Sequence, residues 1–103
     1  MGMNAQLVSE RGEVIEEVFD EQNRLRPLIE SVSEYESTHC LQYMDPYGDT
    51  IFNSLQLPRF LDEWKMVIGL AVATEDKELA GSVQRLALLA EEEIHMYLRF
   101  VGD

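Results

Sequence analysis

Residues 57–73 contain the feature that most constrains the fold, an apolar repeat with helical spacing. The apolar positions lie three or four residues apart, at Leu57, Phe60, Leu61, Trp64, Val67, Ile68 and Ala71. Such a stripe predicts a helix that is buried along one face. Pro58 suits the first helical turn, where a missing N–H group costs no helical hydrogen bond. We therefore expect a helix over residues 57–73, with Trp64 in the core of the protein.

A second helix is expected to follow directly, from Thr74 onward. Thr74 is a residue type that caps helix N-termini, and Glu75 and Asp76 suit the positive end of a helix dipole. The apolar stripe of this helix consists of Leu79, Val83, Leu86, Ala87 and Ala90. Both helices must bury these stripes against other elements.

The N-terminal third predicts a β-hairpin and one further helix. Two short apolar runs, residues 5–9 and 14–19, flank a segment whose Gly12 allows the positive φ of a tight turn. A helical stripe follows at Leu25, Leu28, Ile29 and Val32. Because proline belongs in a first turn, Pro27 places the start of this helix near residues 24–26. The polar segment 31–38 is interpreted as a loop.

The middle of the chain predicts a second hairpin. Residues 39–44 have the composition of a strand, and residues 50–53 would form the returning arm. Between them, residues 45–49 combine a proline, a glycine and two aspartates, all of which favour turns.

The final segment, residues 94–101, allows two interpretations, a helix or a strand with Ile94, Met96, Leu98 and Phe100 on one face. We favour the strand, which gives the order ββαββααβ. This order predicts an α+β fold, an antiparallel sheet of about five strands with helices packed on one face. At 103 residues the chain has the size of one domain, so we expect a single domain over residues 1–103.

The charge of the chain restricts its partners. Twenty acidic residues against eight basic ones give a formal net charge of -12, which repels nucleic acid and anionic membrane surfaces. A protein partner with a basic surface is compatible with this charge. The single cysteine, Cys40, cannot form an internal disulfide, and we see no export signal or membrane-spanning run, so a cytoplasmic location is expected.

Candidates for catalysis are few. His39 and Cys40 are adjacent and would point to opposite faces of a strand, so they cannot form a dyad with each other; Cys40 could still meet His95 in space. Glu92 and His95 have the Glu-x-x-His spacing of half a carboxylate-bridged metal site, but no second copy occurs. We expect no cofactor and no metal, and a buried, inert thiol at Cys40.

The sequence offers more candidate residues for partner binding than for catalysis. Tyr47 lies at the tip of the predicted turn, where an exposed ring is a common anchor of binding surfaces. The alternative is a ring that folds back onto Pro46 and the sheet. Asp45 and Asp49, with Glu30, Glu34 and Glu36, form a candidate acidic patch, although a charge run is more often only a solvated surface.

Residues 45–56, with the sequence DPYGDTIFNSLQ, resemble a segment of small uncharacterised bacterial proteins of similar length. The resemblance implies a bacterial origin and a compact α+β fold, and it implies no activity. In size and acidity the chain is also similar to small bacterial immunity or inhibitor proteins that cover the active site of a toxin.

Three hypotheses follow for the function. The first is a non-enzymatic protein-binding domain, of the immunity, inhibitor or regulatory type. The second is a structural homodimer built through an open sheet edge or through the helix over residues 57–73. The third is a small metal-dependent enzyme that uses Glu92, His95 and Cys40.

Overall fold

A four-stranded antiparallel sheet forms one layer of the protein. The structure is a computed structural model that describes residues 2–35 and 38–102. For residues 33–35 it describes the backbone alone. The strands are β1 (Asn4–Ser9), β2 (Val14–Val18), β3 (Asp49–Phe52) and β4 (Met96–Val101). Their order in the sheet is β2-β1-β4-β3. The last strand is therefore central, and β2 and β3 form the two edges.

Three α-helices form the second layer. They are α1 (Leu25–Tyr35), α2 (Leu57–Leu70) and α3 (Thr74–Glu92). α3 contacts β1, β2 and β4, α2 packs on α3, and α1 contacts both α2 and α3. The predicted α+β class is confirmed, and the elements follow the predicted order except that a 3₁₀ helix stands in place of the strand expected over residues 39–44. Within the described residues, no helix combines the length and the apolar character needed to cross a membrane.

Four aromatic side chains join the helices to the sheet. Trp64 and Phe60 stack with ring centroids 5.2 Å apart, and both lie within about 6 Å of Phe100 on β4, while Phe52 on β3 packs 5.1 Å from Phe60. The indole N–H of Trp64 donates a 2.9 Å hydrogen bond to the carbonyl of Ala80, which links α2 to α3. The prediction that Trp64 belongs to the core is confirmed, and its one polar atom is satisfied.

The N-terminal hairpin is confirmed. Gly12 has a φ of 85°, a left-handed conformation that glycine adopts without a Cβ clash, and its N–H donates to the carbonyl of Ser9. A register shift after Leu7 places a bulge in the pairing of β1 with β2. The C-terminal strand is also confirmed for Met96–Val101, whereas Ile94 lies exposed in the turn before it.

The prediction of a strand over residues 39–44 is wrong, and the sheet has four strands among the described residues instead of about five. Residues Leu41–Tyr43 form a 3₁₀ helix. The buried carboxylate of Glu63 on α2 accepts the backbone N–H groups of His39 (2.7 Å), Cys40 (3.1 Å) and Leu41 (3.0 Å). Because these donors converge on a single carboxylate, the segment turns tightly and offers no strand edge.

The predicted central hairpin is wrong for the same reason. β3 pairs antiparallel with β4, through Thr50 opposite Phe100 and Phe52 opposite Leu98. Residues 45–48 still form a turn, but this turn leads from the 3₁₀ helix into an edge strand.

The remaining differences concern helix ends. α1 starts at Leu25 as predicted but continues to Tyr35, so much of the predicted loop 31–38 is helical. α2 ends at Leu70, three residues early, because Ala71 is extended. Thr74 is the first residue of α3 and does not cap it, since Ala73 occupies the cap position without a side-chain bond.

The sheet has a second face, which none of the helices in the described part of the chain covers. Strand alternation places Gln6 and Val8 of β1, Tyr97 and Arg99 of β4 and Ile51 of β3 on this outer face. Arg99 donates to the amide oxygen of Gln6 at 2.8 Å, and the amide nitrogen of Gln6 donates to Glu17 at 2.8 Å. A polar row therefore crosses a face that also exposes apolar side chains.

Candidate functional site

The turn over residues 45–48 holds Tyr47 in a fixed position. The N–H of Asp45 donates to the hydroxyl oxygen of Thr50 at 3.0 Å, and a carboxylate oxygen of Asp45 accepts the N–H of Tyr47 at 2.9 Å. The N–H of Gly48 closes the turn on the carbonyl of Asp45. This bonding is the local aspartate turn that the sequence predicted for the segment.

The turn also packs tightly against the end of β4. Gly102 donates a 2.7 Å hydrogen bond to the carbonyl of Gly48. A Cβ built on Gly102 would lie 2.4 Å from the carbonyl oxygen of Pro46, closer than any side chain tolerates. Gly102 is thus a residue without which the turn could not dock, and nothing in the sequence singled it out.

Tyr47 is exposed and oriented by Arg26. Its side chain is 68% exposed, so the ring does not fold back onto Pro46 and the sheet. The guanidinium of Arg26 on α1 lies 4.9 Å from the ring centroid and donates to the Tyr47 hydroxyl oxygen at 2.9 Å. This hydrogen bond raises the pKa of Arg26, and Glu30 on the same helix pairs with the guanidinium at 3.3 Å. One face of the ring is held by a cation.

Two of the five predicted acidic residues lie beside Tyr47, and a third, Glu30, pairs with Arg26 on α1. Asp45 begins the turn and Asp49 begins β3, and both side chains are exposed. The side chain of Glu34 and the whole of Glu36 lie outside the described residues. We call Arg26, Asp45, Tyr47 and Asp49 the Tyr47 surface. Arg26 is the member that sequence analysis missed, because it lies 21 residues from Tyr47 and carries no local signal.

A small cavity with a partly apolar and partly polar lining opens next to this surface. Its volume is about 140 Å³. The apolar lining residues are Met3, Ile29, Leu41, Met44 and Pro46, and the polar ones are Arg26, Glu30 and Gln42. Arg26 and Pro46 belong to the wall of the cavity, so the cavity and the Tyr47 ring are neighbours on one side of the protein.

The candidate catalytic residues are not brought together. Cys40 is buried against α2, with its Sγ 3.9 Å from the carbonyl of Gln56. Burial, with the nearby Glu63 carboxylate, raises the pKa of this thiol to about 11, so it is protonated at neutral pH. His95 instead contacts Glu10 across the sheet end at 2.8 Å. A protonated, enclosed thiol is a poor nucleophile.

The Glu-x-x-His pattern also loses its geometry. α3 ends at Glu92, and His95 lies in the turn before β4, so the two side chains do not share a helical face. Among the residues that the structure describes, no three His, Cys, Asp or Glu side chains converge as a metal site would require.

Two larger cavities, of about 390 and 360 Å³, flank Phe19, Asp20 and Glu21. The carboxylate oxygens of Asp20 accept the N–H groups of Arg24 (2.7 Å) and Leu25 (2.9 Å), which caps the start of α1. The buried Asp20 thus has a structural role, which is to cap α1.

Comparisons of the chain with protein-family models, with curated proteins and with solved structures find no match.

Proposed function

We propose that this protein is a non-enzymatic protein-binding domain that docks a basic partner on the Tyr47 surface. The observation that carries the proposal is the state of Tyr47, an exposed aromatic ring fixed by a cation contact and a hydrogen bond to Arg26. Exposed tyrosines are enriched among the residues that dominate binding energy.

The rigidity of the site supports this use. Ordering a free side chain at an interface costs about 0.5–1.5 kcal/mol, a cost that Tyr47 has already met because Arg26 and the turn orient it. The backbone beneath it is tied to β3 through Thr50 and to the end of β4 through Gly102. A partner therefore meets a preformed anchor.

The charge of the protein supports a basic partner. The net charge is -12, and Asp45 and Asp49 flank the anchor. Complementary charge accelerates association more than it strengthens the final complex. An acidic bacterial immunity or inhibitor-type protein, which covers a basic active site, is the role we propose within this class.

The test begins with the partner, captured at low salt by cross-linking and then purified. Its association rate is measured against the wild type, Tyr47→Ala and the double variant Asp45→Asn with Asp49→Asn. Asparagine keeps the acceptor for the Tyr47 N–H. We expect Tyr47→Ala to weaken affinity at least about tenfold, and the double variant to slow association and flatten its salt dependence.

Matched controls lie at the opposite end of β4. Ile94→Ala removes a comparably exposed apolar side chain, and Glu92→Gln removes one exposed charge. Neither should change the affinity. If Tyr47→Ala binds as tightly as Ile94→Ala, the Tyr47 surface is not the docking site.

Self-association is the second candidate, and the outer face of the sheet favours it. Ile51 is 53% exposed there, beside the partly exposed Tyr97 and the buried Val8, and no helix of the described residues lies above them. Light scattering over a wide dilution range tests the idea. Self-association through this face is established if the protein has the mass of a dimer, Ile51→Glu abolishes that mass, and Leu88→Glu on α3 preserves it. A monomer mass at every dilution would exclude self-association.

A further inference from the structure

We propose that the 140 Å³ cavity beside Tyr47 receives one aromatic or branched aliphatic side chain of the partner, and that this side chain is followed by a lysine or arginine. The proposal rests on the protein-binding function above and specifies the chemistry of the partner.

The volume of the cavity selects the size of its occupant. Pockets for metabolites and cofactors occupy about 300–1,000 Å³, well above the 140 Å³ found here. An apolar protein cavity of about 150 Å³ is known to hold benzene. One aromatic ring or a branched aliphatic group therefore fits, and a complete small-molecule ligand does not.

The apolar part of the lining favours an apolar occupant. Met3, Ile29, Leu41 and Met44 are all members of the hydrophobic core, and Pro46 completes the wall toward the turn. Methionine side chains adapt their shape to whatever enters. Burying a phenylalanine or leucine side chain strengthens binding by about 10- to 100-fold, which is enough to make such a pocket an anchor point.

The rim selects the neighbouring residue of the partner. Arg26 is engaged by Glu30 at 3.3 Å and by the Tyr47 hydroxyl, so its charge is largely balanced. Asp45 immediately precedes Pro46 in the cavity wall, and Asp49 lies four residues further on, both exposed. The field at the mouth is therefore negative, which favours a cationic side chain next to the buried one.

The proposal is tested first without the natural partner, by NMR of the protein with ¹³C-labelled methionine methyl groups. Met3 and Met44 line the cavity, whereas Met66 on α2 and Met96 on β4 do not, so they act as internal controls. The probes are the capped dipeptide amides Phe-Arg, Phe-Glu and Ser-Arg. We expect Phe-Arg to shift Met3 and Met44 saturably, with a dissociation constant of about 10 mM.

The other probes separate the two requirements. Phe-Glu should bind at least about fivefold more weakly, because its carboxylate faces Asp45, and Ser-Arg should leave the Met3 and Met44 signals unchanged. Equal effects of all three dipeptides, or shifts confined to Met66 and Met96, would overturn the proposal.

A variant then separates this proposal from the function on which it rests. Met44→Trp fills the cavity mouth and Met66→Trp adds the same bulk to α2; thermal melts establish that both are folded. With the purified partner, weaker binding by Met44→Trp and by Tyr47→Ala supports both proposals. Weaker binding by Tyr47→Ala alone overturns the cavity proposal and leaves the binding surface standing, and no effect of either variant overturns both.

Discussion

Individual buried polar groups decide much of the local structure of this protein. The carboxylate of Glu63 satisfies three consecutive backbone N–H groups, and that of Asp20 satisfies two at the start of α1. In the sequence both residues look like ordinary members of a strongly acidic chain. Their tasks could not be predicted, because each accepts hydrogen bonds from a segment whose path the sequence leaves open.

The thiol of Cys40 makes stability depend on alkaline pH. Its pKa in the folded state, about 11, exceeds the value of about 8.5 for an exposed thiol. The folded state therefore holds the proton more tightly, and this contribution is complete below pH 8.5 and lost as pH rises through 11. We expect the free energy of unfolding to fall over this window by no more than about 3 kcal/mol from this group.

Urea denaturation between pH 7 and 11 measures the effect. Cys40→Ala is the control, because it keeps every other group that ionises at alkaline pH. The wild type should lose more stability than Cys40→Ala over the window. Parallel pH profiles for the two proteins would contradict the assignment.

At the scale of elements, periodic apolar patterns predicted well and short segments did not. The stripes over α2 and α3 gave both helices and their buried faces, because about four turns of regular spacing outweigh local preferences. Residues 39–44 have strand-like composition, yet the Glu63 carboxylate organises them into a 3₁₀ helix. For so short a segment, one tertiary contact outweighs composition.

Replacing Glu63 should show how strongly α2 holds that segment. One carboxylate oxygen accepts from Cys40 and Leu41, and the other accepts from His39 and forms an ion pair with the Arg59 side chain. In Glu63→Gln only one oxygen remains to accept hydrogen bonds, and the new NH₂ group faces backbone N–H donors. We therefore expect the free energy of unfolding to fall by about 1–3 kcal/mol. Glu63→Ala leaves all three N–H groups unsatisfied, with an expected loss of about 3–5 kcal/mol.

Chemical denaturation at pH 7 provides the measurement. Arg59→Ala serves as the comparison, since this arginine is 55% exposed and its ion pair should contribute less than about 1 kcal/mol. Equal losses for Glu63→Gln and Arg59→Ala would mean that the charge pair, rather than the backbone donors, is what matters.

At the scale of the whole molecule, the site could be predicted only in part. Turn chemistry indicated that Tyr47 lies at a turn, and composition indicated an acidic surface around it. The contact between Arg26 and Tyr47 joins segments that are far apart in sequence, and so does the cavity between α1 and the 3₁₀ helix. No local sequence pattern encodes such packing.

The net charge should make the fold more stable in salt. At about 10 mM salt the screening length is about 30 Å, comparable to the 34 × 28 × 23 Å extent of the protein, so its surplus charges repel one another throughout. At about 0.1 M it is about 10 Å. Because the exposed ion pairs each contribute little, we expect the relief of repulsion to prevail and to raise stability by about 1 kcal/mol, a few degrees in Tm.

Thermal melts in sodium chloride from 10 to 300 mM provide the check. A variant with Glu91, Glu92 and Glu93 all changed to glutamine carries three fewer charges and should gain less from salt. A Tm that falls as salt increases would show that ion pairs outweigh repulsion in this protein.

The central position of β4 has a consequence for how the protein is made. Among the described strands, β3 pairs with β4 alone, and β1 lies between the early β2 and the late β4. During translation, β3 and one side of β1 must therefore wait, with unpaired backbone groups, until residue 101 has left the ribosome. Pairing across such sequence separation is slow, so we expect the sheet to close only after residue 101 has emerged, and in one cooperative step.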